Sequence, residues 1–327
     1  NFSFGDYFKE KAIPYAYDLI TEVFGLDPDR LWYTIYNDDD EAAEIWLDGV
    51  GVPSERLQRR DRDNFWQMGV PGPCGPSSEV FYDKGPEYGP DGGPVVDEER
   101  FTEIWNLVFM QNVQDEPYRV VGDLPAKNID TGAGLERIAM VLQQKDTVFE
   151  IDTLVPIREA GERYVDRRYG DDEQVDISLR ILADHGRAMT FLINDGVVPS
   201  NEGRGYVLRR LIRRAVRRAW TLGGTEPVTR VLIEATVEMM KDAYPELHRG
   251  RDHILDSAGR EEESFRRTLE TGSALLDAEL DKGSDVLPGT VAFRLLDTYG
   301  FPVEVTTEIA EELGFAVDRE GFDAEMD

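Results

Sequence analysis

The sequence predicts an α+β protein: a mainly antiparallel sheet flanked by helices over residues 1–145, then an all-helical domain over residues 146–327. Three observations lead there. The first part alternates β-branched and aromatic runs with irregular Gly- and Pro-rich segments, which suits antiparallel connections better than a doubly wound parallel sheet. From Asp152 onward apolar residues recur at helical spacing with little strand signal. The length, 327 residues with 41% hydrophobic and 31% charged, is enough for two domains and a sizeable core.

Composition narrows the function classes. No apolar run approaches ~18 residues and no basic, apolar, small-residue leader opens the chain, so neither a membrane span nor secretion is expected. A single cysteine, Cys74, excludes an internal disulfide framework and suits a reducing cytoplasm. With His185, His248 and His253 at unhelpful spacings, no protein-bound zinc is expected either. A net charge of −30 would ordinarily discourage a nucleic-acid partner. The distribution is uneven, however: residues 201–218 hold seven arginines against one acid, a local +6 that leaves −36 for the remainder. A basic helix on an acidic body can bind a polyanion locally; the acid excess is also what a salt-adapted source would give.

The elements follow in order. Phe2 and Phe4 alternate with polar residues as a strand does, and Gly5-Asp6 reads as a turn and helix cap. Pro14 opens a helix that Gly25 stops. Leu31–Tyr36 is a strand, and residues Asp38 to Asp40 cap a helix ending at Gly49 or Gly51. Trp66 is either a core or lid aromatic or the wall of a small pocket. Residues Pro71 to Pro76 form a rigid loop, in which Cys74 has no neighbouring base and reads as a buried or loop thiol. Ser78–Asp83 and Glu103–Gln111 are strands, the second apolar on both faces except at its ends and Asn106, hence central. An unpaired buried amide costs about 2 kcal/mol or more, so Asn106 needs backbone or a ligand as partner.

In the second part Asp152 caps a helix to about Tyr169, and Asp171 to Asp176 is an acidic linker. A mostly buried helix follows, on which His185 reads as structural. After the turn Gly196–Asn201 comes an amphipathic helix. Arg209, Arg213 and Arg217 form one i,i+4 row, Arg210, Arg214 and Arg218 the next, and Leu208, Leu211, Ile212, Ala215 and Val216 lie opposite. The arginines suit ion pairs with the acidic body or bidentate contacts to phosphate. Further helices span about Val228–Asp242, Asp252–Lys282 and Val291–Asp297, the last broken by Gly300-Phe301-Pro302.

The first part is organised around Asn128–Gln144, NIDTGAGLERIAMVLQQ. Asn128 to Asp130 reads as strand, Thr131 to Gly134 as a turn, and Leu135, Ile138, Val141 and Leu142 as the apolar face of a helix. Gly132 and Gly134 allow positive φ and close approach of a ligand. Asp130 offers a carboxylate to an ammonium group, Arg137 a planar fork to phosphate. The alternative is a capped helix start with a solvated Arg137.

G-x-G-L-E-R-I closing a strand–helix unit resembles motif 3 of class II aminoacyl-tRNA synthetases. SFGDYF, DNFWQMG, PGPCGPSSEVFYD, EIWNLVFMQ, PSNEGRGYVLRRLIRRAVR and LLDTYGFP, in this order, make the chain similar to the alanyl-tRNA synthetase family over essentially its whole length. The resemblance implies a catalytic domain over 1–145 and a tRNA acceptor-stem domain over 146–327. It also implies a two-step ligation. Alanine and ATP, with substrate-associated Mg2+, give alanyl-adenylate, and the alanyl group passes to the 3′ end of tRNA(Ala). The implied catalytic residues are Asp130, holding the ammonium, Asn106, orienting alanine, and Arg137, on the ATP phosphates. Trp66, Val108 and Gly132 border the alanine; Gly134, Phe4 and Glu103 join Arg137 around ATP, Glu103 supporting its Mg2+. Asn201 and Asp297 are the implied readers of an acceptor-stem G·U pair, with Arg204, Arg209, Arg210, Arg213, Arg214 and Arg217 alongside on the RNA.

Residues Asn1 to Asp6 match only the tail of the family's motif 2. Motif 1, the motif 2 arginine, the editing domain with its zinc and the oligomerisation region have no counterpart in the sequence. Weak adenylation by the isolated chain is therefore expected. Two rival readings follow: a non-catalytic tRNA-binding fragment, and an adenylating relative that loads another acceptor.

Overall fold

The computed structural model describes residues 1–280, 285–301, 303–312 and 314–326. Packing divides the chain into two units, Asn1–Ile151 and Asp152–Asp327. In the first, β1 (Leu31–Tyr36), β2 (Leu57–Arg60), β3 (Phe65–Gln67), β4 (Gly72–Asp83), β5 (Phe101–Glu116) and β6 (Arg119–Ala133) form one sheet. Its order is β2-β1-β4-β5-β6, with β3 added on β4. β1 and β2 run parallel; the remaining pairings are antiparallel. Helices α1 (Lys9–Asp18), α2 (Asp40–Glu44) and α3 (Leu135–Leu142) flank the sheet.

Helix α1 begins at Lys9, with Phe8 rather than Asp6 at its N-cap position, and Pro14 falls inside it. Burial of Ala12, Ile13 and Ala16 outweighs the hydrogen bond that Pro14 cannot donate. The Lys9 ammonium is buried 2.6 Å from Asp39 Oδ1, and Asp39 also accepts from the Ala42 N–H at 3.1 Å, capping α2. Ahead of α1, Phe2 makes a single antiparallel bridge with Ile129.

The proline-rich segment is not a free loop, because Gly72 to Pro76 belong to β4. The β4–β5 register slips between Cys74 and Ser77. Close approach explains why glycine is needed there: a Cβ on Gly75 would lie 2.0 Å from the Phe109 carbonyl oxygen. Cys74 is fully buried, and burial pushes its thiol pKa up. Thr131 to Ala133 likewise continue β6 instead of turning, and helix α3 starts only after Gly134. Neither Gly132 nor Gly134 takes a positive φ. Ile138, Met140 and Val141 bury α3, whereas Leu135 and Leu142 are exposed.

The second unit contains α4 (Val155–Val165), α5 (Glu173–Asn194), α6 (Gly203–Thr221), α7 (Val228–Met240) and α8 (Pro245–Leu280). After these come β7 (Val286–Leu287), α9 (Gly289–Tyr299), α10 (Val303–Glu312), β8 (Ala316–Val317) and α11 (Arg319–Met326). The unit is thus not all-helical, since β7 and β8 pair in parallel. Strands of two residues are too short to show alternation in the sequence. Leu179, Leu182, Leu208, Ile212, Leu232 and Phe265 are among its buried core.

Helix α4 starts at Val155 rather than at an Asp152 cap. The acidic segment read as a linker instead starts a helix, Asp172 accepting from the Val175 N–H at 2.9 Å. Helix α8 begins at Pro245, ahead of Asp252, which suits proline at a first helical position. Its expected end at Lys282, and Pro302 of the expected break, lie outside the described residues. Gly300 stops α9 at φ +65. Among the described residues no helix is long and apolar enough to cross a membrane.

Candidate active site and nucleic-acid face

Strand register assembles the first site from residues far apart in the chain. Thr34 on β1 lies opposite Glu79 on β4, Glu79 opposite Asn106 on β5, and Asn106 opposite Gly132 on β6. The adjacent row sets Ser77 opposite Val108 and Val108 opposite Asp130. Opposed residues share a face of the sheet, as do residues two apart on one strand. Asn106, Val108, Asp130 and Gly132, all singled out in the sequence, therefore stand together.

Their environments differ usefully. Val108 is buried and apolar, while a Cβ added at Gly132 would meet nothing within 4 Å, so the face is open there. Asp130 is half-buried, and among the described residues its carboxylate has no hydrogen bond or ion pair. Asn106 Nδ2 donates to Glu79 Oε1 at 3.2 Å, and Thr34 Oγ1 donates to Glu79 Oε2 at 2.9 Å. Asn106 Oδ1 is buried without a partner among the described residues. Behind this row Thr131 accepts from Trp105 Nε1 at 2.7 Å and donates to the Asn106 carbonyl at 2.8 Å, fastening β6 to β5.

Glu79 was read in the sequence only as a strand residue. It is 7% exposed. Burial pushes its carboxyl up to about 7; the Thr34 hydrogen bond opposes the rise and the charge of Glu103 adds to it. Spacing could not have found it, because Thr34, Glu79 and Asn106 meet only through two strand pairings. Its sole signal is an acid in a strand whose next residues, Val80 and Phe81, are apolar.

Arg137 reaches back from α3 to β5, where its Nη1 donates to the Glu103 carbonyl oxygen and to Glu103 Oε2, each at 3.0 Å. Gly134 makes room for this: a Cβ there would come within 3.1 Å of the Arg137 side chain. Arg137 and Glu103, but not Gly134, border a cleft of about 330 Å³ that also takes in Arg60, Glu79 and Phe81. A phosphate entering the cleft would compete with Glu103 for the guanidinium. Trp66 lies opposite Gly75, is 37% exposed, and does not border the cleft. Nor does Phe4, which is 66% exposed.

In the second unit the arginine helix α6 is only partly a surface. Arg204 is exposed and Arg209, Arg210 and Arg214 are half-buried, but Arg213, Arg217 and Arg218 are buried. Arg213 Nη2 lies 2.6 Å from Glu261 Oε1 on α8, and the same guanidinium donates to the Gly300 carbonyl and sits 5.2 Å from the Phe265 ring centre. Arg214 and Arg218 share Glu308 on α10, the former at 3.1 Å. This corrects the expectation of a phosphate-facing row at Arg213 and Arg217, because guanidiniums inside helix packing cannot reach an RNA backbone.

Asn201 precedes α6, whose N-cap position belongs to Glu202, and Asn201 Oδ1 accepts from Arg209. Asp297 is exposed on α9. Asn201, Asp297, Arg209 and Gly300 all border one cleft of about 660 Å³. His185 is buried with Nδ1 2.9 Å from Asp184 Oδ2. Among the described residues no three or more His, Cys, Asp or Glu gather as a metal site.

Comparison with known proteins adds to this geometry. A family model described as tRNA synthetases class II (A) matches residues 1–327. The alanine--tRNA ligase of Acidothermus cellulolyticus is 54% identical over 338 residues, covering 100% of this chain and 38% of its own length. That of Streptomyces avermitilis is 51% identical over 337 residues, covering 98% and 38%. That of Corynebacterium diphtheriae is 49% identical over 341 residues, covering 100% and 38%. The chain thus spans about 38% of the length of these relatives.

Proposed function

The chain belongs to the class II (A) tRNA synthetases, and from that premise we propose that the protein activates alanine with ATP and loads it onto a tRNA. The observation that carries this reading is the open face holding Asn106, Val108, Asp130 and Gly132, with an unpaired carboxylate beside a small apolar surface. An ammonium group would pair with Asp130, and a methyl would lie against Val108. The name shared by the relatives, alanine--tRNA ligase, supports the same substrate.

The chemistry needs little acid–base machinery. The alanine carboxylate oxygen attacks the α-phosphorus of ATP, the bond to the β-phosphate oxygen breaks, and pyrophosphate leaves. A ribose hydroxyl at the tRNA 3′ end then attacks the alanyl carbonyl and AMP departs. Positioning and charge stabilisation carry such a reaction. Arg137 would turn from Glu103 to the ATP phosphates, leaving the Glu103 carboxylate free to face the Mg2+ that ATP brings. In the second unit, Asn201 and Asp297 would read the acceptor stem at a G·U pair, with Arg204, Arg209 and Arg210 on neighbouring phosphates. Alanine-dependent exchange of pyrophosphate into ATP by the full-length protein tests the first step. Exchange that follows glycine or serine better than alanine would overturn the substrate assignment.

A further inference from the structure

Glu79 is a buried acid for which the activation chemistry above has no use, yet it occupies the centre of the site's first row. We propose that Glu79 is a positioning residue of the amino-acid subsite: by accepting from Thr34 and Asn106 it holds the Asn106 side-chain oxygen free for the substrate ammonium.

The argument begins with the amide. Asn106 carries a donor end and an acceptor end, and half a turn exchanges them. An ionised carboxylate only accepts, so Glu79 Oε1 selects the orientation in which Nδ2 faces it, at 3.2 Å. The second carboxylate oxygen is occupied by Thr34 at 2.9 Å, which stops Glu79 itself from turning away. The consequence is a buried Oδ1 with no partner among the described residues. Such an atom costs on the order of 1–3 kcal/mol unless something fills it. The residue opposite Asn106 is Gly132, two positions from Asp130 on the same face. An ammonium has three donors, and Asp130 with Asn106 Oδ1 would accept two of them.

This inference rests on the alanine-activation reading, and the test separates the two. In pyrophosphate exchange by the full-length protein, Glu79→Met removes the acceptor at similar volume. It should raise KM for alanine about tenfold, the value of one hydrogen bond, with KM for ATP little changed. Glu79→Gln keeps an acceptor for Asn106 and offers its N–H to Thr34, so it should restore alanine KM. Parallel rises in both KM values, or an unchanged alanine KM in Glu79→Met, would overturn the proposal. If Glu79→Met does not fold, Glu79→Gln decides alone: an unchanged alanine KM supports the proposal and a raised one overturns it. A wild-type protein without alanine-dependent exchange would instead overturn the reading beneath it.

Discussion

Arg213 and Glu261 meet at 2.6 Å inside the helical unit, each about nine-tenths buried. The same guanidinium binds the Gly300 carbonyl, and Gly300 stops the helix that carries Asp297. Arg213 therefore shapes one wall of the cleft shared by Asn201 and Asp297 through packing.

Removing Arg213 leaves the buried Glu261 carboxylate with Arg209, at 3.2 Å, and without its shorter partner. Arg213→Ala is expected to destabilise the protein by roughly 3–5 kcal/mol, seen as a large drop in Tm. Arg204→Ala, at an exposed position, should stay within about 0.5 kcal/mol. A thermal melt of both variants checks the contrast; an unchanged Tm for Arg213→Ala would place its charge at the surface.

Contacts to RNA should come from the arginines left accessible. Arg204→Ala and Arg210→Ala are expected to weaken binding to all acceptor stems alike and to lower the salt dependence by about one counterion per lost contact. Titrations of tRNA at several salt concentrations measure this. An intact slope in both variants would remove this helix from the RNA interface.

Selectivity is expected to reside instead on the cleft bordered by Asn201 and Asp297. The guanine amino group of a G·U pair lacks its usual partner, and an Asp carboxylate can accept from it. Asp297→Ala and Asn201→Ala should lower charging of a G·U-bearing tRNA while leaving pyrophosphate exchange intact. If the ratio of G·U to G·C charging is the same in wild type and Asp297→Ala, the assignment is wrong.

How much of this was readable in advance depends on the distance over which each residue finds its partners. Leu31–Tyr36 is a strand with the bounds its own side chains suggest, because local propensity and burial agree. The Asn128–Gln144 stretch was legible as a strand followed by a helix, but its glycines do not turn: pairing with β5 extends β6 through Ala133. Pro14 and the proline-rich start of β4 misled for one reason, namely that burial and a neighbouring strand override a local breaker. Glu79 stayed hidden because its partners lie on two other strands. The arginine rows were visible as rows, whereas the acids on α8 and α10 that pair with five of the six could not be aligned from sequence.

For the proposed amino-acid subsite, Asp130→Asn keeps shape and removes the charge that would be offered to an ammonium. A hydrogen bond to a charged group contributes about 1.5–3 kcal/mol, so KM for alanine should rise on the order of tenfold to a hundredfold. Saturation curves in alanine and in ATP check this, since an equal effect on both substrates would point to a structural role for the carboxylate.

Acid should loosen the second unit through Glu308. Burial pushes its pKa up, but hydrogen bonds from Arg214 and Arg218 outweigh this and hold it below the ordinary 4.5. A carboxyl depressed by folding contributes stability above its unfolded value, and that stability is lost as pH falls through the lower folded value. Glu308→Gln should therefore be less stable than wild type at neutral pH, with the gap closing under acid conditions below about 4.5. Denaturant midpoints across that range would show it; a constant gap would mean that the charge of Glu308 is irrelevant.

The row running from Thr34 through Glu79 and Asn106 to Gly132 crosses four strands in a single register. A slip of one residue in any of those pairings would turn the slipped strand's side chains to the opposite face. Such a sheet could still be compact and hydrogen-bonded, yet it would have no amino-acid subsite. Compactness and competence are separate achievements of this chain. During refolding, circular dichroism should recover no later than alanine affinity, and any lag between them would measure the time spent finding register.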